Sequence, residues 1–280
     1  MTLQCYKKRF VEQLSHLYSQ KESHSILQIA CEDLLNWSRT DFMIRDREEM
    51  THLQEQILNN ALEQLKSARP IQYITNKSHF FGLELKVNES VLIPRQETEE
   101  LVQLVINSYP ADQPLKILEI GTGSGCISIC LGNAFAKAEL TAIDISTAAL
   151  AVAQENADQL SRNNNITLKE TDVLQLEKVK QYDIIISNPP YVRYLEKVEI
   201  HKNVLNYEPS QALFVDDDNP LLFYMKILEL ARPHRGTHIY FEINQYLKTQ
   251  MQQLSESQGF KSQFYRDLST NWRMMRCWQE

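Results

Sequence analysis

Apolar residues in the first third of the chain recur at three- and four-residue steps. Tyr6, Phe10, Leu14 and Leu17 form one stripe, and Ile26, Leu27, Ala30, Leu34 and Leu35 form a second. A third runs through Met50, Leu53, Ile57, Ala61 and Leu65, with Asp46 as the expected N-cap and Pro70 as the expected stop. This spacing predicts a small helical domain over residues 1–69. The pattern then changes. Ile71-Gln72-Tyr73-Ile74 and Phe80–Val87 have strand character, with Asn76 and Lys77 between them, which predicts a β-hairpin linker over residues 70–90.

Residues 91–280 read as a second domain. An amphipathic helix follows Val91–Glu100 through Leu101, Leu104 and Val105. Strand candidates then appear at Lys116–Ile120, Glu139–Ile143, Asn165–Lys169, Asp183–Ser187, Thr237–Ile243, Phe260–Tyr265 and Arg273–Trp278. Helical patterns fill most of the gaps, notably Thr147–Leu160, Leu221–Ala231 and Tyr246–Ser257. Alternation of this kind predicts an α/β fold, a mostly parallel sheet covered by helices on both faces.

Charge narrows the function classes. The net charge is −7, and all of it falls on residues 88–280, because residues 1–87 hold 11 basic and 11 acidic side chains. A duplex-DNA binder gathers Lys and Arg to neutralise phosphates, and no basic run here exceeds Lys7-Lys8-Arg9. Direct nucleic-acid binding is therefore not expected. No apolar run reaches membrane-spanning length, and Met1–Arg9 lacks the apolar stretch of a signal peptide. The expected location is the cytoplasm, with a monomer as the default state. Cys5, Cys31, Cys126, Cys130 and Cys277 form no C-x-x-C pair, so reduced, buried thiols are expected and no metal site.

The chemistry begins at Ile117-Leu118-Glu119-Ile120-Gly121-Thr122-Gly123-Ser124-Gly125, an apolar strand entering a glycine-rich turn. Ligands of open α/β sheets bind at such strand ends. A dinucleotide site would place a third glycine at position 126, where this chain has Cys126. That weakens a nicotinamide reading and suits a cofactor without a pyrophosphate. Asp144 ends the next strand, where a carboxylate can accept from both hydroxyls of a ribose. Asp172 follows the third strand; it can accept from an adenine NH2, with Val173 packing on the ring, or simply cap a turn.

Asn188-Pro189-Pro190-Tyr191 follows the fourth strand, at the same sheet edge. The lone pair of a planar NH2 is delocalised, so its nitrogen is a poor nucleophile. Giving each N–H an acceptor helps it to react. The Asn188 side-chain oxygen supplies one, and the Pro189 carbonyl supplies the other on a backbone stiffened by two prolines. Such acceptors aim the lone pair and stabilise positive charge developing on nitrogen. Tyr191 offers a flat face to a planar group. These features predict methyl transfer from S-adenosylmethionine to a planar NH2, either a glutamine amide or an adenine. A module that binds the cofactor without catalysis has no need of the second motif.

With these motifs in view, the chain resembles the protein-(glutamine-N5) methyltransferases of peptide chain release factors (PrmC/HemK-like), a branch of the class I, Rossmann-like methyltransferases. The resemblance spans nearly the whole chain, through Arg69–Ile74, Leu92–Glu99, the glycine turn, Asn188–Tyr191 and Tyr207-Glu208-Pro209. It implies methylation of the glutamine in a release factor's Gly-Gly-Gln loop during translation termination, with S-adenosylhomocysteine as by-product. It also implies that Gly121, Thr122, Gly123, Ser124, Gly125, Asp144 and Asn188 bind the cofactor, with Asp172 and Val173 near the adenine. Asn188, Pro189, Pro190 and Tyr191 would then hold the substrate amide, with Pro94, Arg95 and Glu97 lining the same pocket; Arg95 also reads as a salt-bridging surface residue. The helical domain would recognise the substrate. Three positions depart from the family pattern. Gln96 stands for a proline, which is expected to alter the pocket lip. Asn244 stands for a glycine after Glu242-Ile243, and Asp267–Arg273 is divergent.

Overall fold

Capping side chains set where the N-terminal helices begin. The computed structural model describes residues 1–163 and 165–279. Thr2 caps α1 (Leu3–Leu14), Ser19 caps α2 (Gln20–Leu35), and Ser38 and Thr51 form capping boxes at α3 (Arg39–Ile44) and α4 (His52–Lys66). Asp46, the expected cap of α4, instead holds the Lys7 ammonium at 2.6 Å. Thr51 takes its place because Gln54 completes the reciprocal bond. Helix α4 therefore starts later than expected. Leu53 sits in its first turn and is exposed, and the buried face is Leu58, Ala61, Leu62 and Leu65.

Ile71–Ile74, expected as a strand, is helical. Helix α5 (Ile71–Thr75) starts directly after Pro70, whose fixed φ suits a helix entry, and ends on Asn76 in the left-handed region. Pro70 thus opens α5 and does not close α4, which ends at Lys66. The hairpin lies later, as β1 (Lys77–Phe80) and β2 (Leu83–Lys86). Its two turn residues, Phe81 and Gly82, both have positive φ, the backbone that a tight two-residue hairpin requires.

Two compact units result. The first is Met1–Lys77 with Ile200–Tyr207. That second segment comes from within the range read from the sequence as the second domain. It stacks His201 on Tyr18, with ring centroids 5.5 Å apart, and donates the Tyr207 hydroxyl to the Ser67 carbonyl at 3.0 Å. The core of this unit gathers Leu3, Tyr6, Phe10, Leu14, Leu27, Leu58 and Leu62.

The second unit, Ser78–Glu199 with Glu208–Glu280, holds the main sheet. Its strands are β3 (Lys116–Ile120), β4 (Glu139–Asp144), β5 (Ile166–Glu170), β6 (Ile184–Ser187), β9 (His238–Glu242), β10 (Lys261–Arg266) and β11 (Trp272–Trp278); a short pair, β7 (Val192–Arg193) and β8 (Phe214–Val215), stands apart. The order is β10-β11-β9-β6-β3-β4-β5, parallel from β9 to β5 and antiparallel at β10 and β11. The Rossmann-like expectation therefore holds. Alternate residues of the central strands enter different cores: Ile184, Ile186 and Tyr240 join one, and Ile185, Ile239 and Phe241 the other. Helices α6 (Gln96–Ser108), α7 (Cys126–Ala134) and α8 (Thr147–Leu160) contribute to the first core, and helix Leu222–Ala231 to the second.

The chain runs β3, β4, β5 outward and then returns to place β6 on the other side of β3. That reversal opens a crevice at the carboxyl ends of β3 and β6, the place where doubly wound sheets take ligands. Four of the five thiols are buried and all are unpaired; Cys5, expected to be buried, is exposed. Among the described residues no helix is long and apolar enough to cross a membrane.

Candidate active site

A cavity of about 270 Å³ occupies that crevice. Its walls come from the segments that follow successive strands: Gly121–Ser124 after β3, Asp144–Ser146 after β4, Asp172–Leu174 after β5 and Asn188–Pro190 after β6. Leu92, Pro94, Arg95 and Thr98 line it as well, as do Pro209 and Phe223. The structure thus brings together twelve of the fifteen residues singled out from the sequence: Pro94, Arg95, Gly121, Thr122, Gly123, Ser124, Asp144, Asp172, Val173, Asn188, Pro189 and Pro190.

The turn after β3 is held by its neighbours. Gly123, at φ 54°, donates its N–H to Asp144 Oδ2 at 2.9 Å, while Ser146 N–H donates to Oδ1 at 2.9 Å. A carboxylate accepts about four hydrogen bonds, so Asp144 keeps acceptor capacity for a ligand. Gly125 does not line the cavity. It caps α7 at φ 80°, and a Cβ there would meet Ala153 at 3.3 Å, so its glycine serves helix packing. Asn156, on α8 and fully buried, donates to the Ser124 carbonyl at 2.9 Å and pins the turn from beneath.

Glu119, at the end of β3, also lines the cavity and is 1% exposed. Its Oε2 accepts from the Thr122 hydroxyl at 2.8 Å, the Ser128 N–H at 3.1 Å and the Ser128 hydroxyl. Its Oε1 has no hydrogen-bond partner among the described residues. Burial pushes its pKa up to about 7, against the opposing pull of those donors. An orphaned acceptor on a cavity wall suits a cationic amino group. The sequence did carry a signal for Glu119: a carboxylate inside an otherwise apolar strand.

Asp172 has the local role that the sequence left open, accepting from the Leu174 N–H at 2.9 Å to cap a short 3-10 turn, and it also faces the cavity. Val173 is buried in the core beside it. Arg95 lines the cavity and pairs with Glu208 at 2.6 Å, and Glu208 also accepts from the Ile93 N–H at 3.2 Å. Glu208 therefore fixes the whole Ile93–Arg95 segment. Glu97 does not line the cavity, and Thr98, one residue on, does. Gln96 is the exposed first residue of α6, a position that also accommodates proline, and it does not line the cavity.

The motif after β6 rests on a buried polar network. Asn188 Nδ2 donates to Thr98 Oγ1 at 3.1 Å, and that hydroxyl donates to Glu242 Oε2 at 2.6 Å. Tyr191, expected to offer its face to a planar substrate, does not line the cavity. Its ring packs on the core and its hydroxyl donates to Glu242 Oε1 at 2.9 Å, because a buried phenol needs an acceptor. Burial raises the pKa of Glu242, with the Thr98 and Tyr191 donors opposing it. Burial, and then Glu242, raise that of Tyr191. Asn244, the departure from glycine, is buried at φ −68° and donates to the Tyr191 carbonyl at 3.1 Å and to Glu196 at 2.9 Å. It anchors the chain that leaves the motif. In the divergent turn, Asp267 accepts from the Asn271 N–H at 2.8 Å and from Arg273 at 3.2 Å.

Comparison with known proteins adds relatives to this geometry. Residues 95–211 match the model of the methyltransferase small domain, and residues 8–75 match that of the PrmC N-terminal domain. The chain is 44% identical to the release factor glutamine methyltransferase of Flavobacterium psychrophilum, covering 99% of both chains. It is 37% identical to the enzyme of the same name from Bacteroides thetaiotaomicron, covering 89% of this chain and 90% of the other. Among solved structures, a methyltransferase from Pyrococcus furiosus aligns with a TM-score of 0.50 at 18% identity, over 78% of this chain and 96% of the other. The hMettl16 catalytic domain aligns with a TM-score of 0.55 at 16% identity, over 71% and 76%. At such identities the two structures speak to the fold alone.

Proposed function

Because the chain belongs to the release factor glutamine methyltransferase family, we propose that it methylates the side-chain amide nitrogen of a glutamine in peptide chain release factors. The methyl donor is S-adenosylmethionine, and the target is the glutamine of the Gly-Gly-Gln loop. The observation that carries this reading is the juxtaposition of Asn188 and Pro189 with the glycine turn and Asp144 in one cavity.

The cavity fits that cofactor. Asp144 retains acceptor capacity at the place where a ribose diol would lie, and Asp172 and Val173 offer an acceptor and an apolar surface for an adenine. The unpartnered Glu119 Oε1 suits the cofactor's amino group. When bound, the cofactor supplies an electrophilic methyl group on a sulfonium. The protein's part is orientation. Asn188 Oδ1 and the Pro189 carbonyl each accept one N–H of the substrate amide, which turns the nitrogen lone pair toward the methyl group and stabilises the charge forming on nitrogen. No strong base is required, because the methylated nitrogen becomes acidic once the bond forms and releases its proton afterwards. Pro190 stiffens the backbone that presents the Pro189 carbonyl, Tyr191 supports it through Glu242, and Pro94 and Arg95 shape the entrance with Glu97 nearby. Residues 1–69 recognise the protein substrate. The enzyme acts as a cytoplasmic monomer without gripping nucleic acid.

The test uses the full chain with labelled S-adenosylmethionine, offered a purified release factor or duplex DNA. Label on the release factor, lost when its Gly-Gly-Gln glutamine is replaced, is the expected result. Label on DNA alone would overturn the reading in favour of an adenine target. Asn188→Ala is expected to retain cofactor binding while kcat falls at least about 10²-fold.

A further inference from the structure

Asn188 can serve as an acceptor only if its amide presents Oδ1, and not Nδ2, to the substrate. The side chain is nearly symmetric in shape, so something must choose between the two orientations. The choice lies in the buried polar chain beneath it. Thr98 and Glu242 are 3% and 1% exposed, so neither can turn to water for a partner. A threonine hydroxyl has one proton. Thr98 commits that proton to Glu242 Oε2 at 2.6 Å, and the other carboxylate oxygen is taken by the Tyr191 hydroxyl at 2.9 Å. What Thr98 has left to offer Asn188 is a lone pair. Only the Nδ2 end of the amide can meet a lone pair, and it does so at 3.1 Å. Oδ1 is thereby left for the substrate.

We propose that Thr98 and Glu242 are positioning residues for the methyl transfer: the one-way chain from Asn188 Nδ2 through Thr98 Oγ1 to the Glu242 carboxylate fixes the Asn188 amide with its oxygen toward the substrate NH2. The proposal rests on the reading of Asn188 given above and extends it to Thr98, on the cavity wall, and to Glu242 behind it. Reversing the amide would set two N–H donors against the N–H bonds of the substrate. Glu242 gives the chain its direction because both of its carboxylate oxygens accept here, Oε2 from Thr98 and Oε1 from Tyr191. A glutamine at 242 supplies donors as well as an acceptor. It can donate to Thr98, releasing the hydroxyl proton toward Asn188 Oδ1, and the amide then loses its preferred orientation. Tyr224 holds the backbone at this point by donating to the Glu242 carbonyl at 2.9 Å, so the carboxylate is delivered from a fixed strand end.

The experiment compares Thr98→Val, Thr98→Ser, Glu242→Gln and Asn188→Ala as full-length proteins with a release factor substrate. It measures kcat and KM for the release factor, the Kd for S-adenosylmethionine by calorimetry, and the urea midpoint. Thr98→Val and Glu242→Gln are expected to lower kcat by about 10²-fold, the size of effect seen when one preorganised hydrogen-bonding group is lost. The cofactor Kd should stay within about threefold, and Thr98→Ser, which keeps the hydroxyl, should stay within about threefold of the parent. The double variant Thr98→Val with Glu242→Gln should be about as slow as either single one, since the two residues act as a unit. Parental kcat in a folded Thr98→Val or Glu242→Gln protein would overturn the proposal. So would a Thr98→Ser enzyme as slow as Thr98→Val, which would make the role one of packing. If one of the pair fails to fold, the other decides, because valine alters the hydroxyl and glutamine the charge at nearly constant volume. Near-normal turnover in Asn188→Ala would instead sink the underlying assignment of the amide acceptor, a result distinct from the failure of the positioning chain.

Discussion

Replacing Asn156 tests how the second unit couples its stability to the glycine turn proposed to hold the cofactor. The side chain is fully buried on α8 and makes three hydrogen bonds. Its Oδ1 accepts from the Lys86 N–H at 2.7 Å, and its Nδ2 donates to the Lys86 carbonyl at 2.9 Å and the Ser124 carbonyl at 2.9 Å. One residue thus ties the hairpin strand β2, helix α8 and the glycine turn. Asn156→Ala removes all three bonds. The two to Lys86 are partly buried and contribute about 1 kcal/mol each, while the stranded Ser124 carbonyl costs about 1–3 kcal/mol. Alanine returns roughly 0.5 kcal/mol through its better helix propensity. The expected loss is therefore about 3 kcal/mol. Urea unfolding in a Trp37→Phe background isolates the second unit, because Trp272 and Trp278 then report its transition alone. The midpoint should fall with m unchanged. Cofactor affinity should fall as well, by about tenfold or 1.4 kcal/mol, as the Ser124 backbone loosens. Asn156→Asp should be worse than alanine, since it sets a charge without donors against two carbonyls. A loss below about 1 kcal/mol in the alanine variant, or an aspartate variant as stable as the parent, would refute this account of the turn.

Two other variants test the site's electrostatics and its departure from the family pattern. Glu119 has a folded-state pKa of about 7, raised above its unfolded value, so the folded cofactor-free protein binds the extra proton between those values. Its stability should therefore fall as pH rises from about 4.5 to about 7 and level off beyond, by about 3 kcal/mol at most. Glu119→Gln should flatten that slope, and an unchanged difference between urea midpoints at pH 5 and pH 8 would contradict the burial argument. Asn244→Gly removes the bonds to the Tyr191 carbonyl and to Glu196, at a φ that gives glycine no advantage. It should cost about 1–3 kcal/mol and speed limited proteolysis between Arg193 and Glu199; cleavage at the parental rate would mean that Asn244 does not anchor this segment.

Periodicity made most of the fold legible, and its failures have local causes. Thr147–Leu160 appears as an apolar rhythm in the sequence and as a helix with the same ends in the structure. Ile71–Ile74 misleads because a short apolar run satisfies both a strand and one helical turn. The deciding features are Pro70 before it and Asn76 after it, a helix entry and a left-handed stop. Leu53 falls in an apolar stripe that begins before the buried face does, since the capping box at Thr51 and Gln54 sets where the helix starts. Ile200–Tyr207 joins the first unit through tertiary contacts such as Tyr207 to Ser67, and no local pattern carries those.

The site divides along the same line, by how far apart in sequence the cooperating residues lie. The residues proposed to meet a ligand come in short runs, because each is the end of a strand and its turn. The runs Gly121–Ser124 and Asn188–Pro190 are therefore visible as motifs. Residues that orient them arrive from distant segments: Thr98 reaches Asn188 across 90 positions, and Glu242 reaches Thr98 across 144. What such residues show in sequence is only their burial cost, a threonine on the inner face of α6 and a glutamate closing the apolar strand His238–Glu242. A buried carboxylate is expensive unless hydrogen bonds offset its lost hydration. Glu242 accepts two hydroxyls, Glu119 accepts from Thr122 and Ser128, and Glu208 holds Arg95 and Ile93. In each case the carboxylate stands behind or beside the cavity and directs a neighbour, an arrangement suited to a reaction that needs orientation and acceptors more than a base. Exchanging any of the three for an apolar residue should therefore disturb geometry before it disturbs proton transfer.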